Sequence, residues 1–262
     1  MRISDEHMDM MLKQIALDCN TAEAEAVNEN IFISPTKVLK GSRRIDKLDP
    51  FFRVIIIMGK AYVMAEEELI PGFAELLKSD SADWFFNYGH LRKLDHILHE
   101  FDREIIDTHI YYLPDADARR IEADPEYRWL DRDEISAIKG KHDHRYALCY
   151  SPTQPDYVAV VDSGGMDVID SCGIFYPERI RGIAGASLDG EYTRQIGIDV
   201  SDAYRGKGIG VKLVTTLKQS IMEEGYLPFY GTNESHALSR MVGVRSGFLP
   251  AFSELFVGRI EE

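Results

Sequence analysis

Apolar residues fall at helical spacing in residues 5–19 (DEHMDMMLKQIALDC), where Met8, Met11, Leu12, Ile15 and Ala16 share one stripe. This predicts an opening amphipathic helix. Phe51–Met58 and Ala61–Met64 are runs rich in β-branched residues on either side of Gly59-Lys60, the pattern of a hairpin. Helical periodicity over 66–79 and 87–101, then an extended segment over 105–113, complete a first half that reads as a small α/β lobe. It contains no motif with a nameable chemistry.

Residues 114–129 are acidic and turn-rich, with Asp115, Asp117, Asp124 and Pro125, and the boundary between lobes is expected there, separating 1–130 from 131–262. A calcium loop does not fit, because the sixth place counted from Asp115 is Arg120 where the sharp turn needs glycine. The second half is better patterned. Tyr157–Val161 and Ile180–Leu188 read as strands, and Tyr192–Val200 alternates so that Ile196, Ile198 and Val200 share a face opposite Gln195 and Asp199. Residues 206–224 put Ile209, Leu213, Val214, Leu217 and Ile221 on one helical stripe, with Gly225 placed to end it. A short strand over 228–232, a helix over 235–246 ended by Gly247, and extended structure over 248–257 follow.

Composition supports two lobes: 262 residues, 45% hydrophobic and 10% aromatic, exceed the needs of one small domain. No apolar run approaches the ~20 residues that cross a bilayer, and the first residues lack a secretory apolar block, so a cytoplasmic protein with no membrane partner is expected. Cys19, Cys149 and Cys172 suggest neither a disulfide framework nor a zinc knuckle. The formal charge of −14 argues against nucleic acid as a partner. Residues 1–140 hold 18 basic and 28 acidic side chains, which suits a cationic substrate but also plain solubility.

Arg205–Gly210 (RGKGIG) lies between a predicted strand and a predicted helix. The first amides of a helix lack intrahelical partners and sit at the positive end of its dipole, so they can converge on a phosphate that glycines let approach. Arg205 and Lys207 add positive charge. A Walker A loop is excluded, because Gly208 follows Lys207, and a dinucleotide fingerprint fits poorly, because its third glycine place is Val211. A turn without ligand is the remaining alternative.

Ile198-Asp199-Val200, the spacer to RGKGIG, the amphipathic helix, the strand, the second helix and Gly247-Phe248 together resemble the GNAT superfamily of N-acetyltransferases over roughly 135–262. The resemblance implies a C-terminal GNAT-like mixed sheet flanked by helices, beside an N-terminal α/β lobe of unmatched role that would shape the acceptor side. It implies that the backbones of Ile198 and Val200 hold the pantetheine arm and thioester of acetyl-CoA, and that Arg205, Gly206, Lys207, Gly208, Ile209 and Gly210 hold the pyrophosphate, with Gly208 and Gly210 more sensitive than Lys207. Gly197 would mark a bulge in that strand.

The reaction implied is direct attack of an amine, from a small molecule or peptide, on the thioester, which needs a base and a donor for the leaving thiolate. Asp199 is the first candidate base, ahead of Asp189 and Glu191. The family often places a Tyr four residues before its Gly-Phe pair, and here that place is Gly243; the place of its helix Asn is His236. Tyr230, Ser239 and His236 are the candidate donors. No metal is implied, and a homodimer is compatible with the reading. A non-catalytic acyl-CoA-binding or sensing module is the alternative, and a nucleotide-binding protein using the same loop is a third.

Other residues invite shorter readings. His96 and His99 lie three apart on a predicted helix without a third ligand at a fitting spacing, and His142 and His144 read as solvated. Trp84-Phe85-Phe86-Asn87-Tyr88 reads as packing between helices rather than as a cap over an apolar pocket.

Overall fold

The computed structural model describes residues 1–43, 51–78, 80–122, 124–139, 147–148 and 156–260. His142, His144 and Cys149 lie outside the described residues. In chain order the elements are α1 (Asp5–Asp18), β1 (Glu25–Ala26), β2 (Ile31–Pro35), β3 (Phe52–Ile57), β4 (Lys60–Ala65), α2 (Ile70–Leu77), α3 (Tyr88–His99) and β5 (Arg103–Pro114). They continue with β6 (Tyr127–Leu130), α4 (Arg132–Ile138), β7 (Asp156–Asp162), β8 (Gly182–Ser187), β9 (Thr193–Val200), α5 (Ile209–Glu223), β10 (Leu227–Asn233), α6 (Ala237–Arg245) and β11 (Phe248–Arg259). Contacts divide the chain into two compact units, both discontinuous in sequence. The first comprises Met1–Met10, Tyr112–Gly231 and His236–Leu249, and the second Met11–Tyr111, Thr232–Ser235 and Pro250–Glu262.

In the second unit β3 and β4 form the expected hairpin. Met58 and Gly59 take φ of 51° and 69°, the pair of positive values that a two-residue turn between twisted strands requires. β2 pairs parallel with β4, and β11 pairs antiparallel with β3 through Phe252↔Ile57. Strands β1 and β2 stand where no element is expected, since Ile31–Pro35 is a short run without alternation. Ile33, Val54, Val63, Phe73, Leu94, Leu98 and Leu255 meet in the core. The aromatic run divides: Phe85 is buried edge-on to His90 at 4.6 Å, while Trp84 and Tyr88 are exposed. Helix α2 is shorter than the predicted 66–79.

In the first unit β6, β7, β8 and β9 are antiparallel neighbours and β10 joins β9 in parallel, giving a mixed sheet. Strand β6 begins within the stretch read as turns and ends one residue beyond it. Helix α4 begins at a capping box, Asp131 accepting from the Glu134 amide at 2.9 Å and Glu134 from the Asp131 amide at 2.8 Å. That D-x-x-E signature is a local feature of the sequence. Helix α5 buries Leu213, Val214, Leu217 and Ile221 completely and packs across β7, β8 and β9. Gly225 ends it at φ 83°, with the Tyr226 amide donating to the Ile221 carbonyl, and Gly247 follows α6 at φ 76°.

Candidate active site

Strand β9 carries the site, and its two edges differ. Toward β8 the ladder is unbroken from Ala186↔Ile196 to Gly182↔Val200. Toward β10 it runs from Leu227↔Thr193 to Tyr230↔Ile196 and stops there. Among the described residues the β10 ladder reaches no β9 residue beyond Ile196, so an extended ligand can lie along that edge, and the Val200 carbonyl accepts from Arg205 Nε at 3.2 Å. The expected bulge at Gly197 is absent, since Gly197 stands in register opposite Gly185. Close approach occurs at Gly185 instead, where an added Cβ would lie 2.1 Å from the Ala147 carbonyl oxygen.

The predicted facing holds. Ile198 and Val200 turn toward α5, their side chains 3.6 and 3.5 Å from where a Cβ on Gly210 would be. Asp199 points the other way, and its Oδ2 accepts from the Ala147 amide at 2.7 Å. No periodicity could have revealed this partner, because Ala147 belongs to no regular element.

From Val200 the chain makes one turn of 3₁₀ helix at Asp202–Tyr204 and enters the glycine loop. Gly206 and Gly208 take φ of 77° and 82°, and Gly208 is the residue that starts α5. Both need the left-handed region that glycine occupies freely. Gly210 does not: it is buried inside the first turn with ordinary φ. The amides of Ile209, Gly210 and Val211 open the helix, and no acidic side chain stands in its first turn. Arg205 pairs with Asp202 at 2.9 Å, and the Lys207 ammonium lies 4.9 Å from the Tyr204 ring centre. The N-terminus of α5 thus offers free donors and positive charge, a seat for an anion.

Tyr230 and Ser239, named separately in the sequence, are brought together, the phenol and serine hydroxyls lying 2.7 Å apart. Tyr230 is 1% exposed, and burial pushes its phenol above the usual range, with the Ser239 hydrogen bond acting in the opposite sense. A Cβ on Gly243 would stand 3.0 Å from the Tyr230 ring. His236 is exposed at the start of α6, and Asp189, buried, accepts from the Gln195 amide at 3.1 Å. Glu191 is exposed. His99 pairs with Asp95 at 3.4 Å and, like His96, faces solvent.

Residues 116–240 match the model of the acetyltransferase (GNAT) family. This region is a GNAT acetyltransferase domain. Members of the family transfer acyl groups from acyl-CoA, and the loop and open strand of this GNAT domain fit such a donor. No match is found among curated proteins. Among solved structures, a GCN5-related N-acetyltransferase-like protein from Streptococcus suis is similar at 11% identity and TM-score 0.45, over 84% of this chain and 88% of the other. A GCN5-related N-acetyltransferase from Kribbella flavida is similar at 17% and 0.41, over 64% of each chain. A GNAT-family acetyltransferase from Colwellia psychrerythraea is similar at 13% and 0.36, over 60% of this chain and 57% of the other. The chain thus spans less than two thirds of the length of the last two. Among the described residues no helix of the protein is long and apolar enough to cross a membrane.

Proposed function

We propose that this GNAT domain moves an acetyl group from acetyl-CoA to an amine of a small molecule or peptide by direct attack. The observation that carries the reading is the continuity of β9, freed from β10 after Ile196, with a glycine loop that delivers the N-terminus of α5. An acyl-pantetheine arm extended along Ile198–Val200 leads its pyrophosphate to the amides at Arg205–Gly210, where dipole and backbone donors favour it. The CoA-binding role falls to residues 131–262.

Asp199 is the proposed base. Its hydrogen bond to the Ala147 amide holds the carboxylate in place, on the β9 face opposite Ile198 and Val200, to receive a proton from the attacking nitrogen directly or through water. His236, solvent-facing at the start of α6, is proposed to exchange protons with water rather than with the thioester.

Thermal unfolding with acetyl-CoA, CoA, ATP and NAD tests the donor. At about 100 times its Kd, acetyl-CoA should add ~2.7 kcal/mol of stability and raise Tm by several degrees, while ATP and NAD do not compete. Absence of any shift at saturation would remove the central claim. Thiol release across an amine panel then tests transfer: binding without release from any amine makes the domain an acyl-CoA-binding module, the reading that glycine at position 243 favours.

A further inference from the structure

We infer that Ser239 and Tyr230 form a two-hydroxyl relay, in which Ser239 meets the leaving sulfur and Tyr230, buried behind it, replaces the proton that Ser239 gives up. The inference rests on the acetyl-transfer reading.

Exposure and seating set the order of the two groups. Tyr230 is 1% exposed, whereas Ser239 is half-buried. The tyrosine ring cannot swing outward, because it is enclosed by Gly243, by Phe248 with ring centres 6.1 Å apart, and by Tyr112 at 6.5 Å. A Cβ at position 243 would meet two ring carbons at 3.0 and 3.3 Å, so a larger residue there would press the ring aside by a few tenths of an ångström. Ser239, one turn earlier on α6, holds the phenol at 2.7 Å and is the outward end of the pair. Tyr230 is also the last β10 residue in the ladder with β9, so the pair stands where the two strands part.

The step balances as follows. The amine nitrogen forms a bond to the thioester carbonyl carbon, the carbon–sulfur bond breaks, and its electron pair stays on sulfur. Ser239 Oγ gives its proton to that thiolate, the phenolic proton moves to Oγ, and once the thiol has left, a proton from water enters at Ser239 Oγ, whose own proton passes back to the phenolate. The proton lost by nitrogen passes to Asp199 and then to water, leaving an amide and a thiol. Burial keeps the phenol protonated through the neutral range, so the relay is charged before each turnover.

Steady-state turnover, acetyl-CoA affinity and rates in H₂O/D₂O mixtures test the relay. Ser239→Ala and Tyr230→Phe should each lower kcat about 100-fold, within the range of general acid catalysis. Acetyl-CoA affinity should stay within about twofold, and the double variant should be no worse than the poorer single one, since the two act as a unit. Gly243→Ala, which displaces the ring, should lower kcat in the same way. Rate against deuterium fraction should curve in the wild type, with two protons in flight, and become linear in Tyr230→Phe. A slow Tyr230→Phe beside a normal Ser239→Ala would mean direct donation by tyrosine and overturn the relay. Two normal variants would overturn it as well. Wild-type protein that binds acetyl-CoA but never releases thiol would instead bring down the transfer reading, and the relay with it.

Discussion

Gly208 and Gly210 look alike in RGKGIG and differ in backbone. At Gly208, φ of 82° puts any other residue in the left-handed region, so Gly208→Ala should cost roughly 1–2 kcal/mol, read as a lower Tm, although the space around it is open. At Gly210 a methyl meets only ordinary contacts at 3.5 and 3.6 Å, and alanine favours the helix by about 1 kcal/mol over glycine. Gly210→Ala should therefore keep or raise Tm. A loss of acetyl-CoA affinity in that variant would report close approach of the ligand alone. Lys218 is a second residue whose role the sequence hides. A lysine outside the apolar stripe of α5 suggests a surface residue, yet its ammonium is buried and donates to the carbonyls of Ser246 at 2.6 Å and Gly247 at 3.2 Å, holding the C-terminal end of α6. Burial pushes its amine down to about 8. The folded state then binds fewer protons than the unfolded one between about pH 8 and 10.5, so Lys218 makes stability rise with pH across that window. Denaturant midpoints should show this rise in the wild type minus Lys218→Met difference. Cys19 acts in the opposite sense: burial pushes its thiol up to about 12, so its contribution is lost as pH climbs from 9 toward 12.

Among elements, those with strong periodicity or firm punctuation were legible. α5 with its apolar stripe and Gly225, the β3–β4 hairpin, and β9 with its alternation all follow from side-chain spacing and turn chemistry. β2 and β6 are not legible because short strands take their identity from neighbours that the chain supplies much later: β6 exists by pairing Leu130 with Ala159. The second unit shows how far apart such partners can be. Asp18 on α1, Arg43, Arg53 on β3 and Glu254 on β11 form a buried charge network, with Arg43 to Asp18 at 2.5 Å, Arg43 to Glu254 at 3.1 Å and Arg53 to Glu254 at 2.5 Å. Arg43 and Glu254 are 211 positions apart, beyond any local pattern. Glu254→Ala leaves two guanidinium groups short of a buried partner and should cost about 3–5 kcal/mol of stability, measurable in urea.

At the scale of the molecule, the charge of −14 acts through distance rather than contact. It should draw cationic acceptors, and raising salt from about 0.01 to 0.15 M shortens the screening length from ~30 to ~8 Å. KM for a diamine should therefore rise several-fold over that range, with kcat unchanged; a KM indifferent to salt would leave the acidic surface a matter of solubility. The sequence by itself determined the glycine loop and the strand and helix that flank it, because glycine spacing, alternation and an apolar stripe are local properties of a chain. Only the tertiary structure decided that β9 parts from β10 after Ile196, that Gly206 and Gly208 but not Gly210 need positive φ, and that Tyr230 occupies the space beside Gly243 to meet Ser239. Those outcomes depend on which distant backbones and side chains come into contact, and no spacing along one strand or helix encodes what will face it.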